Sequence, residues 1–482
     1  MHKKTRNLLI HGVISLAIYF IIANLPPVGS VTEMGMKILG LTLGLIYGLI
    51  TIENRAIPSI AALILIGTSG YTNVMSAFMS GIGHYAVVMV LGLMMIGGIC
   101  THSGLARILA ERIINSKIAN GRPWVLTCLI MVAAMIPSMF LNAIPVLIIV
   151  WGIIINIFDL VGYTKGEKWP ALMMCSATAS SAIAISAMPF SMGVSTDFSI
   201  FRDLMGGDIS IPAIPFILSS FALCAGFLVL QMLALRFVFR PDTSKLKNYK
   251  APEHREPFTT DHKRALVLLI IFIVVVLAPD ILPKGSALQV FMSGFGSIGA
   301  AFLVVLLAII IPNKDGTPFI TLEQIMNKGA FWSLLAMIAA LMVVCGSLTV
   351  PELGISTWLA DLIRPTVQSL GGFGTYVLMM IIGLVGTNFL DNSVVCITMA
   401  AVLSVVSQDL AIPAVGVYCM LMHAGEYGIL TPASSPLGAL TYAQIEGGWL
   451  NKKTILSSGV VYMLLLFIVL LVIGYPLIGF HK

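Results

Sequence analysis

Apolar residues run along this chain in blocks of about 20, the length an α-helix needs to cross the hydrocarbon core of a bilayer. The blocks fall at residues 7–25, 34–52, 85–101, 169–188, 211–239, 288–311, 331–350, 412–430 and 455–478, with shorter ones at 56–67 and 265–277. They predict transmembrane helices. Two other apolar stretches, 124–160 and 376–406, are interrupted by polar residues, and the first also by Pro137 and Pro145. Neither pattern fits two full tilted spans with a loop between them. Each predicts a re-entrant hairpin with a polar tip at membrane depth, a geometry tolerated where protein or water covers the broken backbone. Amphipathic pieces at 103–117 and 354–364 precede the hairpins and are expected to lie along the membrane interface. The basic start (His2, Lys3, Lys4, Arg6) has the outline of a secretory signal. No small-residue cleavage site follows it, so it reads as a retained first helix.

Composition turns this pattern into a class. Hydrophobic residues make up 58% of the chain and charged residues 10%, with a mean hydropathy of +1.00. A soluble domain carries about 25% charged residues, so this chain cannot cover itself with a water-facing surface. The fold expected is an all-α polytopic membrane protein, multi-pass, in a bacterial inner or plasma membrane, with lipid as its main solvent. The seven cysteines all lie in apolar segments without metal-ligand spacing and read as small buried side chains. The net charge of +6 reports topology and calls for no nucleic-acid partner. With a cytoplasmic N-terminus and alternating spans, only Lys37, Arg202, Lys284, Arg364 and Lys482 of the 27 lysines and arginines fall outside, the bias the positive-inside rule requires.

Polar breaks then divide the chain into two copies of one device. Ser138-Met139-Phe140-Leu141-Asn142-Ala143-Ile144-Pro145 and Gly386-Thr387-Asn388-Phe389-Leu390-Asp391-Asn392-Ser393 place their asparagines, Asn142 and Asn392, 250 residues apart. The same offset relates Ser103-Gly104-Leu105-Ala106 to Leu353-Gly354-Ile355-Ser356. Chance similarity between apolar sequences explains one such match more readily than two at a shared offset. The expected organisation is a first repeat at 1–240, a hydrophilic cytoplasmic linker at 241–264 and a second repeat at 265–482. The first amphipathic piece falls inside and the second outside, so the repeats are inverted, an architecture of secondary transporters.

Broken helices have a specific chemistry. A half-helix that starts at the tip offers free N–H groups and the positive end of its dipole to an anion, while one that ends there offers carbonyl oxygens to Na⁺. Asp391 at membrane depth is a functional-site candidate, and Thr387 and Asn388 add oxygen ligands beside it. A second break in each half is expected to complete each tip: 189–196, including Ser191, and 429–436, including Thr431, Pro432, Ser434 and Ser435. A buried kink is the plain alternative for any one break, and four symmetric breaks favour a site. His423 and Glu426, three apart on a helical face, suit a proton relay or a structural pair. His84 and His102 read as interfacial, and Gly97, Gly98 and Gly346 as helix-packing glycines. No nucleophile elbow, paired-carboxylate site or metal motif appears, which argues against an enzyme.

On residues 103–110, Phe140-Leu141-Asn142, Phe389-Leu390-Asp391-Asn392-Ser393 and Thr431-Pro432-Ala433-Ser434-Ser435-Pro436, the chain resembles the divalent-anion:sodium symporter family of the ion transporter superfamily, over nearly its whole length. The resemblance implies a homodimer in which a scaffold carries an elevator-type transport domain, with Ser-Asn-Thr hairpin tips binding carboxylates and Na⁺. Here the tips read Leu141-Asn142-Ala143 and Asp391-Asn392-Ser393, so both hydroxyls are missing from the first copy and a carboxylate is added to the second. Phe-Leu-Asp-Asn also resembles the hairpin of sodium/proton antiporters in that superfamily.

The function expected is cation-coupled symport of a small organic anion, a di- or tricarboxylate, with Na⁺ or H⁺ as coupling ion and no cofactor. Substrate contacts are expected at Asn142, Ala143, Ser191, Asn392, Ser393, Thr431, Pro432, Ser434 and Ser435. Cation ligands are expected at Leu141, Asn142, Thr387, Asn388, Asp391 and Asn392. Sodium/proton antiport, using Asp391 and the His423–Glu426 pair, is the alternative.

Overall fold

A computed structural model describes residues 3–481 apart from 53, 253–255, 314–315, 330–331, 349, 391, 408–411 and 433. The described residues fold into helices, with one isolated bridge between Pro312 and Pro318. The first half contains α1 (Lys3–Ala23), α2 (Glu33–Thr51), α3 (Ala56–Thr68), α4 (Val74–Ile82), α5 (Tyr85–Ser103), α6 (Leu105–Ile114), α7 (Pro123–Phe140), α8 (Ala143–Val161), α9 (Lys168–Ile185), α10 (Met192–Leu204) and α11 (Ala213–Leu233). The second contains α12 (Thr260–Ile281), α13 (Ala287–Ile310), α14 (Leu322–Gly329), α15 (Trp332–Leu348), α16 (Ile355–Gly386), α17 (Asn392–Val406), α18 (Ala414–Gly425), α19 (Pro436–Ala443) and α20 (Lys452–Val469). Among the described residues, ten helices are long and apolar enough to cross a membrane. With exposed Leu9, Val13, Phe20, Val229, Leu306 and Val472 along their outer faces, the chain is an all-α multi-pass membrane protein.

Backbone conformations recur at the 250-residue spacing. Gly104 and Gly354 both cap a helix start in the left-handed region, at φ 74° and 67°, and Gly121 and Gly371, also 250 residues apart, take the same positive φ at 64° and 63°. An L-residue pays a steric penalty there that glycine avoids. Packing is reciprocal between the halves: α4 lies on α15 and α14 on α5, while α3 lies on α15 and α13 on α5. Each half therefore completes the other's core.

Two expected boundaries need correction. The second amphipathic piece runs past residue 364 and ends at Gly371, whose non-helical backbone (φ 63°, ψ −179°) separates it from the helix that leads to the tip, whereas α6 and α7 are separated by a longer connection. The end of the expected linker is also helical. Thr259 caps α12 by accepting from His262 N, and the His262 ring accepts from Thr259 N in return, a capping box.

The cysteines are free and all but the half-buried Cys128 are buried. His84 is more than an interfacial residue. Its Nδ1 accepts from Ala86 N at the start of α5, and its Nε2 donates to Asp203 Oδ2 at 2.7 Å, tying α5 to the end of α10.

Candidate functional site

Both hairpin tips are built by their asparagines. Asn142 caps α8, its Oδ1 accepting from Ile144 N at 2.9 Å, an arrangement worth about 1 kcal/mol to a helix start. Asn392 opens α17 with a different set of partners. Its Oδ1 accepts from the Thr387 hydroxyl at 2.6 Å, and its Nδ2 donates to Glu426 O at 2.9 Å and Glu426 Oε2 at 3.1 Å.

The breaks opposite the tips follow from composition. After α9 the chain reads Ser186-Ala187-Met188-Pro189-Phe190-Ser191 before α10 begins, and after α18 it reads from Glu426 to Ser435 before Pro436 opens α19. The second break is stitched to its hairpin. Asn388 donates through Nδ2 to Leu384 O, and its Oδ1 accepts from Ile429 N and Leu430 N at 3.0 and 2.8 Å. The Thr431 hydroxyl donates to Asn388 O at 2.7 Å, Tyr442 donates to Leu430 O at 2.7 Å, and Ser435 donates to Gly428 O. Thr387 Oγ1 also lies within hydrogen-bond reach of Gly425 O, so its single proton is shared between that carbonyl and Asn392 Oδ1. These bonds replace the helical ladder the break has lost. Gly428 is required here, because a Cβ would stand 2.5 Å from Asn392 Oδ1 and 2.7 Å from Thr387 O.

Tips and breaks meet around a cavity of about 250 Å³. Its polar wall includes Ser138, Asn142, Ser191, Asn392, Ser393, Glu426 and Ser435, and Phe190, Leu269 and Phe272 belong to its apolar wall. The N-termini of α8, α10, α17 and α19 all face it, through 142–145, 191–193, 392–393 and 435–437. Each such end carries roughly half a positive charge. The C-terminal end of α7, Ile185 at the end of α9 and Glu426 at the cap of α18 line the same space and oppose that field. Glu426 lies hard against α10, where a Cβ on Gly193 would be 2.5 Å from Oε1. The Ser191 hydroxyl, at the cap of α10, is buried and has no hydrogen-bond partner among the described residues. An ionised Glu426 adds negative charge against the positive helix ends, and neutralising it removes that opposition.

The expected site residues divide accordingly. Leu141, Asn142, Ala143, Ser191, Asn392, Ser393, Ser435 and Glu426 line the cavity. Thr387, Asn388, Thr431, Pro432 and Ser434 do not. Their polar atoms, where they carry them, bind the backbone and side chains of the break, and Ser434 donates to Thr431 O. Asp391 and Ala433 lie outside the described residues. His423 and Glu426 do not form a pair on one helix face. Helix α18 ends at Gly425, leaving Glu426 at its cap in the cavity, while His423 Nε2 bonds Ser220 Oγ at 3.0 Å and its ring stacks on Phe216. Gly97 lines the cavity, and a Cβ placed on it would meet nothing within 4 Å, so it leaves space and packs no helix. Arg55, Thr101, Gly193 and Thr196 also line the cavity, beyond the residues the sequence singles out. The glycine and threonine fall inside the expected break at 189–196, and Arg55 carries no signal beyond its charge. An apolar groove between α1, α2 and α3 has no charged side chain among its described lining residues.

Comparison with known proteins adds to this geometry. The sequence model of the citrate transporter family, CitMHS, matches residues 45–425. The fold is similar to the YdaH transporter of Alcanivorax borkumensis, at TM-score 0.60 and 14% identity over 99% of both chains. It is also similar to MtrF of Neisseria gonorrhoeae, described with a class of antimetabolite efflux pumps, at TM-score 0.58 and 12% identity over 98% of this chain and 94% of that one. No curated protein sequence matches the chain.

Proposed function

The chain belongs to the citrate transporter family, and from that premise we propose that it moves a small organic anion, a di- or tricarboxylate, coupled to Na⁺ or H⁺. It is a transporter rather than an enzyme. The observation that carries the coupling is the place of Glu426: inside the cavity, against the N-terminus of α10, held by Asn392. An ionised carboxylate there occupies the position and cancels the field that an anionic solute needs. A proton on Glu426, or Na⁺ beside it, removes that obstacle, so cation and anion load together. Asp391, next to Asn392 in sequence, is a further carboxylate for the same role.

In this reading the N-terminus is cytoplasmic and the two halves are inverted. The hairpins, α9, α10, α18 and α19 move as one elevator unit against a scaffold formed by the interleaved α3–α5 and α13–α15, and two copies assemble through their scaffolds. The test is uptake of labelled citrate and succinate into proteoliposomes under an imposed Na⁺ or proton gradient. Accumulation that requires one gradient supports the reading. Na⁺/H⁺ exchange with no organic solute present overturns it in favour of antiport.

A further inference from the structure

Helices α5 and α10 pack against each other. Toward one end of this seam both line the cavity, α5 through Leu93, Met94 and Gly97 and α10 through Met192, Gly193 and Thr196. At the other end, about 15–20 Å along the helices, the start of α5 meets the end of α10. There the Asp203 carboxylate accepts from His84 Nε2 at 2.7 Å, and its other oxygen faces Arg202 Nη2 at 3.5 Å. The Arg202 guanidinium lies over the Tyr85 ring, 5.0 Å from its centroid, a cation–π contact. His84 is fixed from its own side. Its Nδ1 accepts from Ala86 N, which leaves the ring proton on Nε2 for Asp203. Just before it, α4 lies so close to α15 that a Cβ on Gly81 would stand 2.8 Å from Ala339 O. Asp203 is carried by α10, whose start bears on Glu426.

We propose that His84 and Asp203, with Tyr85 and Arg202, form a latch that closes the α5–α10 seam at the end remote from the cavity and opens in each transport cycle. The inference rests on the reading above, in which α10 moves against a scaffold containing α5. Both contacts join one unit to the other, so sliding of α10 along α5 separates them together. The side chains of His84 and Asp203 are 21% and 34% exposed. Water therefore solvates both groups on release, and the large penalty for parting a buried ion pair does not arise. A contact made and broken in every cycle requires that weakness.

The first test tethers the seam. In a His84→Cys/Asp203→Cys variant, a short bis-methanethiosulfonate linker joins the two positions, and uptake of labelled citrate, or succinate if citrate is not carried, is measured in proteoliposomes. Expected is loss of most of the uptake, recovery when a reductant cleaves the linker, and no effect of the reagent on wild type or either single variant. Full uptake by the tethered protein overturns the latch, because the two helices then do not part. The second test asks whether the contacts hold this state. Spin labels at Met79→Cys in α4 and Asp208→Cys after α10, both exposed positions, report the distance across the seam in a background where the half-buried Cys128 is replaced by serine. Asp203→Ala should raise the longer-distance population several-fold, and Asp203→Asn, which still accepts from His84, should fall between. An unchanged distribution in Asp203→Ala overturns the latch even where tethering blocks uptake. A wild type that carries neither carboxylate removes the transport reading, and the distance measurement still decides the latch.

Discussion

Asn392 Nδ2 stands 3.1 Å from Glu426 Oε2 and 2.9 Å from the Glu426 carbonyl oxygen. The hairpin tip of the second half is thus tied to the one acidic side chain among the described cavity residues. Any change in the charge of Glu426 is felt by the start of α17. In the function proposed above, that link carries the effect of the bound cation to the tip that meets the solute.

Glu426→Gln keeps the shape and the Asn392 contact but removes the negative charge. Coupling free energies between sites are about 1–3 kcal/mol, and this variant should forfeit them. Solute exchange down its own gradient persists, while accumulation driven by Na⁺ or protons collapses. Counterflow and gradient-driven uptake in the same proteoliposomes separate the two. Asp391→Asn is the companion: the carboxylate whose neutral variant abolishes the cation dependence is the coupling group. Unchanged cation dependence in Glu426→Gln removes it from that role.

Gly193→Ala puts a methyl group 2.5 Å from Glu426 Oε1, closer than packed atoms approach. The carboxylate must move away from the start of α10. Because α10 itself tolerates alanine, the expected result is near-normal thermal stability with uptake reduced by on the order of tenfold, as for a displaced contact worth about 1.4 kcal/mol. Wild-type uptake in Gly193→Ala places the Glu426–α10 contact outside the transport cycle.

Asn388 has the composition of a cation ligand, and its geometry gives it another task. Its side chain satisfies Leu384 O, Ile429 N and Leu430 N at once. Asn388→Ala leaves these buried backbone groups without partners, at about 1–3 kcal/mol each, and should lower the unfolding temperature of the detergent-solubilised protein markedly. Asn388→Asp keeps the accepting oxygens, loses the bond to Leu384 O and should fall between. A stable Asn388→Ala whose only defect is in Na⁺ affinity would restore the ligand role.

How far the sequence reaches is visible in these residues. The long helices follow from hydrophobic runs, and the repeat from identical spacing of Gly104 with Gly354 and Asn142 with Asn392. Both signals are local, carried by residue type and interval. What escapes them is non-local: whether a polar side chain faces the cavity or turns back to mend the backbone. Thr387, Asn388 and Thr431 look like ligands by residue type, yet a broken helix leaves orphan donors and acceptors that claim them first. Periodicity likewise puts His423 and Glu426 on one face, and the helix ends between them. Arg55 is legible only as a topogenic charge, since its approach to the cavity depends on how α2, α3 and α5 pack.

Gly104 and Gly354 test the repeat energetically. Each substitution by alanine carries the left-handed penalty of roughly 1–2 kcal/mol. At Gly104 the added Cβ meets only His262 Nε2 at 3.4 Å, whereas at Gly354 it meets Ser30 O at 1.8 Å. Thermal unfolding should rank wild type above Gly104→Ala and Gly104→Ala well above Gly354→Ala. Equal losses would mean that the contact between residue 354 and the α1–α2 connection is absent in the membrane.

His423 separates a proton relay from a structural histidine. Its Nε2 is held by Ser220, its ring lies on Phe216 with a centroid spacing of 5.8 Å, and the ring of His481 meets Phe216 edge-on at 6.1 Å. All of these contacts point toward α11 and the chain's end, on the side of α18 away from the tips. His423→Gln retains a donor and acceptor for Ser220 and loses most of the stacking. Its expected cost is a modest loss of thermal stability, with the pH profile of uptake superimposable on wild type. Ser220→Ala should behave alike, because it removes the partner and leaves the ring in place. A shift in the pH profile of both variants, with stability unchanged, would instead connect α11 to the protonation of Glu426 and make this cluster part of the coupling path.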